Sequence, residues 1–73
     1  MTDEPAGYVC PLKPREIEAV KLYADGYSIK QAAHAMGITP GVLGYLTTNA
    51  CRACKAHNRT HLVSIVLRKG WIQ

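Results

Sequence analysis

A stretch of twenty-one residues in the middle of this sequence, from Gln31 to Cys51, contains no charged side chain. It is long enough to span a membrane, but its glutamine, histidine, proline, threonine and asparagine residues are costly to place in hydrocarbon. The first ten residues begin acidic and have no apolar core, so they do not resemble a signal peptide. We therefore expect a cytoplasmic protein that does not enter the membrane.

Acidic residues are also scarce. The chain has five Asp and Glu against nine Lys and Arg, and only three of the acidic residues lie within residues 12–73, which hold all nine basic ones. The isoelectric point is near 9.2. This balance predicts an anionic partner, of which nucleic acid is the commonest.

The sequence lacks the patterns of an enzyme site. There is no Gly-rich phosphate loop, and no Ser or Cys has an identifiable base and orienting partner. Glu16 and Glu18 are two residues apart on a predicted helix, so they point in different directions. A chain of 73 residues buries only about 60% of its unfolded surface, which leaves little room for a cleft. We predict a single domain with no catalytic activity and no cofactor.

Helical patterns dominate what is present. Residues 1–11 show no periodicity and contain two prolines and a glycine, which predicts a flexible arm before a domain over residues 12–73. Apolar residues then recur at helical spacing in four segments, separated by capping residues and glycines. The predicted starts and stops are Pro14 to Gly26, Ser28 to Gly37, Thr39 to the region of Lys55, and Asn58 to Gly70. The fold class predicted is all-α with four helices.

Three motifs make the pattern more specific. They are the Pro-Arg-Glu opening at residues 14–16, the Gly-x-Ser-x-Lys segment at residues 26–30 and the Asn-Arg-Thr segment at residues 58–60. With Leu12, Gly37 and Leu62, they resemble the LuxR/GerE-type DNA-binding domain from Leu12 to Ile72 without a gap. The resemblance implies a four-helix helix-turn-helix domain, and members that consist of this domain alone are small transcription regulators. It therefore implies double-stranded DNA as the partner.

The third helix departs from this resemblance. In the family, a Lys and a His occupy the positions that here hold Gly44 and Leu46. Uncharged side chains can still read bases, and we assign this role to Tyr45, Thr48 and Asn49. They cannot release counterions from DNA, so the phosphate contacts are assigned to flanking Lys30, Arg52 and Lys55.

Two alternatives remain open at this stage. The uncharged helix could instead bind a protein, which would make the chain an antagonist or adaptor, for example of a LuxR-type regulator. The fourth helix has more apolar residues than one core-facing stripe needs. It is therefore predicted either to pack fully in the core or to form a homodimer interface through Leu62, Val63, Val66 and Leu67.

A cluster of cysteines and histidines follows the third helix. Cys51, Cys54, His57 and His61 are all possible zinc ligands. Their spacing, along the end of one helix and the start of the next, favours buried thiols, and we assign no metal site. Cys10, in the predicted arm, is expected to be exposed and able to cross-link dimers on oxidation.

Overall fold

The computed structural model describes residues 10–72, and within this range the chain forms four α-helices and no strand. The helices are α1 (Pro14–Ala24), α2 (Ile29–Met36), α3 (Pro40–Cys54) and α4 (Arg59–Arg68). The prediction of an all-α chain with four helices is confirmed. Of the predicted arm, residues 1–9 lie outside the described range.

Three of the helices begin at a side chain that caps the first turn. Ser28, Thr39 and Asn58 each accept a hydrogen bond from the backbone N–H three residues further on, at 3.1, 3.2 and 2.8 Å. Each such cap satisfies a donor that has no partner within its helix. The short polar residues that predicted these helix starts therefore also stabilise them.

The first helix begins differently. Lys13 is its N-cap and has no side-chain acceptor, but the Glu16 carboxylate reaches back and accepts the Lys13 N–H at 2.9 Å. Glu16 is only 4% exposed. Because a buried carboxylate needs hydrogen-bond donors, this contact explains how a charged residue is accommodated on the inner side of α1.

A three-residue turn, Gly37 to Thr39, joins α2 to α3. Gly37 has φ 70° and ψ 30°, the left-handed conformation that ends many helices. The Ile38 N–H donates to the Ala33 carbonyl at 3.0 Å, and Pro40 begins α3 without needing a hydrogen bond for its nitrogen. The turn is therefore short, and α2 and α3 pack against each other.

Two groups of buried residues form the core. One lies between α1, α3, α4 and the described residues that flank α1 and α4, and the other lies between α1, α2 and α3. The first, which we call the lower cluster, contains Leu12, Val20, Ala50, Leu62, Val66 and Ile72. The second, the upper cluster, contains Ala19, Tyr23, Ala32, Ala33, Met36 and Leu43. Half-buried Val63 packs against both clusters, which makes the core continuous.

The packing of the core contradicts part of the predicted dimer interface on α4. Leu62 and Val66 have no exposed surface in the single chain, because they complete the lower cluster. They cannot also form a dimer interface, and their assignment to one is wrong. Val63 is half-buried, whereas Leu67 is 49% exposed and is the one predicted interface residue that lies fully at the surface.

Candidate nucleic-acid interface

One side of α3 faces away from the rest of the protein. Leu43 and Ala50 lie on the buried side, whereas Tyr45 is 69% exposed and Thr48 and Arg52 are exposed. With 3.6 residues per turn, these three exposed residues fall in one line, which extends about 10 Å along the helix. We call this line the outer face of α3. Two of the three predicted base-reading residues therefore lie side by side.

The third predicted base-reading residue, Asn49, lies at the margin of the outer face and is half-buried. Two turns before it, on the same margin, Val42 is 49% exposed. Asn49 is therefore less accessible than Tyr45 and Thr48. Its contact with a base would require the partner to approach this margin of the helix.

The hydroxyl of Thr48 is already engaged within α3. Its Oγ1 donates to the Gly44 carbonyl at 2.9 Å. A hydroxyl has one proton, so in this conformation Thr48 can only accept a further hydrogen bond or make an apolar contact through its methyl group. Both modes suit base recognition, because bases carry donors and thymine carries a methyl group.

Thr47, which follows Leu46 and precedes Thr48, points inward and links α3 to α1. Its hydroxyl donates to the Leu43 carbonyl at 2.8 Å and lies 2.6 Å from the Tyr23 hydroxyl. Since the Thr47 proton is used, the Tyr23 hydroxyl must be the donor in the second bond. This bond joins α1 to the middle of α3, and sequence patterns did not predict it.

Two glycines lie within α3 without an internal packing reason. A Cβ atom built on Gly44 would meet nothing within 4 Å, and one built on Gly41 would make only an ordinary contact with Thr39 Oγ1 at 3.9 Å. Gly44 lies in the helix interior, where glycine costs about 1 kcal/mol relative to alanine, whereas Gly41 belongs to the first turn. The rest of the chain therefore does not explain why these positions lack side chains.

Basic residues lie at the C-terminal end of the same helix. Arg52 belongs to the outer face, and Lys55 follows α3 as its C-cap. Lys55 is exposed and has φ 56° and ψ 37°. A residue with a Cβ atom is strained in this left-handed conformation, which glycine or asparagine usually occupies. Glycine at position 55 would therefore give the protein greater stability than lysine does.

The remaining predicted phosphate contact, Lys30, lies on α2. It is exposed and lines an open groove of about 750 Å³ together with Asp25, Tyr27 and His34. Its side chain is therefore available to a partner. It lies on a different helix from Arg52 and Lys55, which belong to the C-terminal end of α3.

Two other basic residues have structural contacts. The Arg15 guanidinium donates to the Met36 carbonyl at 3.2 Å and to Glu18 at 3.0 Å, so it caps the end of α2 from α1. Arg59, the first residue of α4, lies over the Tyr23 ring with its guanidinium carbon 4.8 Å from the ring centre. This cation–π contact orients the Arg59 guanidinium at the surface. The sequence did not predict the contact, since it shows only that Arg59 follows the capping Asn58.

The histidines after α3 contact each other. The rings of His57 and His61 stack with centroids 5.0 Å apart, and His61 Nδ1 accepts the His57 N–H at 2.9 Å. One nitrogen of His61 is therefore occupied by the backbone. Within residues 10–72, no group of three or more His, Cys, Asp and Glu is placed to hold a metal ion.

The three cysteines pack around the lower cluster. Cys10, Cys51 and Cys54 are all half-buried and pack against it. Burial raises the pKa of the Cys51 thiol, and burial together with the neighbouring Cys10, Cys51 and Glu16 raises that of Cys54. The expectation that Cys10 is exposed is wrong, because it packs against the core.

No helix within residues 10–72 combines the length and the apolar character that crossing a bilayer requires.

A scan of protein-family models gives no match to the chain, and a search of curated proteins gives no relative. The likeness to LuxR/GerE domains therefore depends on the motifs at residues 14–16, 26–30 and 58–60.

Proposed function

We propose that this chain is a small helix-turn-helix regulator of the LuxR/GerE type, which binds double-stranded DNA with α3 in the major groove. The outer face of α3 is the observation that carries this proposal. It presents Tyr45, Thr48 and Arg52 in one line, opposite the buried Leu43. A helix exposed along its whole length on one side, and preceded by a short turn from α2, has the shape that fits this groove.

In this proposal the two kinds of contact come from different residues. The uncharged part of α3 reads base edges through Tyr45, Thr48 and the marginal Asn49. Arg52 and Lys55 bind phosphates at the C-terminal end of α3, and Lys30 binds them from α2. Arg59 joins this set because its guanidinium is held at the surface by the Tyr23 ring. Phosphate contacts then supply most of the affinity, and base contacts supply the preference for one sequence.

The proposed protein acts as a homodimer through α4. Leu67, with 49% of its surface exposed, is the residue on which such an interface would centre, because Leu62 and Val66 are used by the core. A two-fold dimer would place two α3 helices on successive turns of a palindromic site.

The decisive experiment is a fluorescence-anisotropy titration of the full chain with random duplex DNA at low and moderate salt. Removing one cation that binds a phosphate should lower the slope of log affinity against log salt by about 1. We expect this decrease for Arg52→Ala, Lys30→Ala and Lys55→Ala. Lys69→Ala is the matched control, because it removes the same charge from an exposed residue at the opposite end of α4 from Arg59. Equal slopes for all four variants and the original chain would refute the assignment.

Base reading needs a separate measurement. Once a preferred operator has been selected from a random pool, Asn49→Ala should relax the preference at one base pair by about 1–3 kcal/mol. Equal losses on every operator variant would show that Asn49 does not read a base.

A second function is supported by the same surface. Tyr45 and Val42 are large exposed apolar side chains, and the neighbouring Gly41 and Gly44 add no side chain beside them. Such a surface also suits a protein partner, so that the chain would be an antagonist or adaptor of a LuxR-type regulator. This function predicts no salt-dependent DNA affinity. It also predicts calorimetric binding to a purified LuxR-type regulator, which Tyr45→Ala should abolish.

A further inference from the structure

One aromatic side chain of α1 contacts two of the helices that the proposed DNA interface uses. The Tyr23 hydroxyl lies 2.6 Å from Thr47 Oγ1 on α3, and the Arg59 guanidinium of α4 lies over the face of the Tyr23 ring. Tyr23 is only 8% exposed and belongs to the upper cluster. Packing in the core and the hydrogen bond to Thr47 therefore hold the ring in one orientation.

The contact with the ring does not use the hydrogen-bond donors of Arg59. The guanidinium carbon is 4.8 Å from the ring centre, within the roughly 6 Å over which a cation–π interaction acts. The five N–H groups of a guanidinium lie at the edge of a planar group, so they stay available to an acceptor. Within residues 10–72, the ion pair is that of Arg15 with Glu18, so no carboxylate from this range neutralises Arg59.

The same guanidinium borders an open space. Arg59 and Tyr23 line a pocket of about 290 Å³ together with Tyr27, Thr60 and Val63. A phosphate oxygen that approaches this pocket would meet a cation that the ring has already oriented. An arginine that is oriented before binding loses less side-chain entropy when it binds than a freely rotating one does.

We propose that Tyr23 is a positioning residue for DNA binding, because its ring orients the Arg59 guanidinium toward a phosphate of the DNA backbone. This inference rests on the proposed function, since it takes DNA to be the ligand of Arg59. Tyr23 is nearly buried and acts only through Arg59. Losing the ring should lower the affinity for duplex DNA by about two- to fivefold, which is the effect of one cation–π contact at an exposed site.

The experiment is a double-mutant cycle, measured by fluorescence anisotropy of the full chain on random duplex DNA at low salt. Tyr23→Leu removes the ring, Arg59→Ala removes the cation, and the third variant carries both changes. We expect Tyr23→Leu to lower the affinity by the factor given above when Arg59 is present, and to have no further effect in the Arg59→Ala chain. A purely structural role of Tyr23 would lower the affinity equally in both chains, and this result would overturn the proposal.

Two further variants separate the ring from the hydroxyl and from the fold. Tyr23→Phe keeps the ring but loses the hydrogen bond to Thr47, so it should lower stability and retain the original affinity. Phenylalanine with a fluorinated ring at position 23 has nearly the same shape, but fluorine withdraws negative charge from the ring face and weakens the cation–π contact. Its affinity should be lower than that of Tyr23→Phe. Equal affinities of these two variants would overturn the proposal even if Tyr23→Leu does not fold.

A second cycle provides the matched control. Arg52 is an exposed arginine on the outer face of α3 and belongs to the same set of proposed phosphate contacts. Tyr23→Leu should lower the affinity by the same factor with Arg52 in place and in the Arg52→Ala chain. Coupling of Tyr23 to Arg52 as strong as its coupling to Arg59 would contradict a role that acts through Arg59.

Failure of the proposed function gives a different result from failure of this inference. If the original chain has no salt-dependent affinity for duplex DNA, both are overturned. If the original chain binds DNA with the expected salt dependence but its affinity does not depend on the Tyr23 ring, the positioning role alone is overturned.

Discussion

Replacing Gly44 with alanine tests whether α3 keeps its glycine for a reason outside the chain. A Cβ atom at this position meets nothing within 4 Å, so the new methyl group neither clashes with the protein nor fills a gap in it. The change in the free energy of unfolding should then reflect backbone preference alone, which favours alanine over glycine by about 1 kcal/mol in a helix interior. For a domain of this size, the thermal midpoint should rise by about 4–8 °C.

Circular dichroism during thermal unfolding measures this effect. Ala53→Gly is the matched control, because Ala53 is exposed near the end of the same helix, and it should lower the midpoint. A midpoint for Gly44→Ala that is unchanged or lower would refute the reasoning. It would mean that the glycine serves the fold of the chain itself.

The same variant bears on DNA binding. If Gly44 leaves room for the DNA at the edge of the outer face, the added methyl group should lower affinity by about tenfold, equivalent to about 1.4 kcal/mol of overpacking. A protein that becomes more stable but binds DNA less well would show that the glycine is retained for binding. Unchanged affinity would show that no partner approaches this position closely.

Substitutions at three further positions follow from the structure. Lys55→Gly should raise the free energy of unfolding by about 1 kcal/mol by relieving the left-handed strain, whereas Lys55→Ala should not, and both should weaken DNA binding equally in anisotropy titrations. Tyr23→Phe removes the hydrogen bond to Thr47 and should cost about 1 kcal/mol in urea unfolding; an unchanged stability would show that this bond is not stabilising. Leu43→Ala should cost about 2–5 kcal/mol, since Leu43 is fully buried, and a smaller decrease would contradict the packing described for the upper cluster.

Local signals made the helices predictable. Ser28, Thr39 and Asn58 are capping residues whose side chains bond to the backbone only a few residues away, and Gly37 adopts the left-handed conformation that few other residues tolerate. Such interactions depend on neighbours in sequence, so the pattern contains the information needed. The all-α fold follows from them.

The interactions between distant residues could not be predicted in the same way. The apolar pattern of α4 did not show that Leu62 and Val66 belong to the core, because α4 has more apolar residues than one buried stripe needs. The contact of Cys10 with the lower cluster brings together segments more than forty residues apart, and no local signal precedes it. The outer face of α3 was predictable in part: two residues assigned to base reading, Tyr45 and Thr48, do lie together on it, but the assignment did not show that Asn49 is half-buried.

The hydrogen bond between Tyr23 and Thr47 supports the rotation of α3 about its own axis that the burial of Leu43 and Ala50 defines. Turning this helix by one residue position, about 100°, would move Thr47 out of reach of the tyrosine and bring Leu46 toward the solvent in place of Tyr45. The contacts on the buried side of the helix therefore decide which side chains a partner meets. The orientation of the surface that a partner meets is thus supported by residues that the partner never contacts, among them Tyr23 of α1 and buried Leu43 and Ala50 of α3.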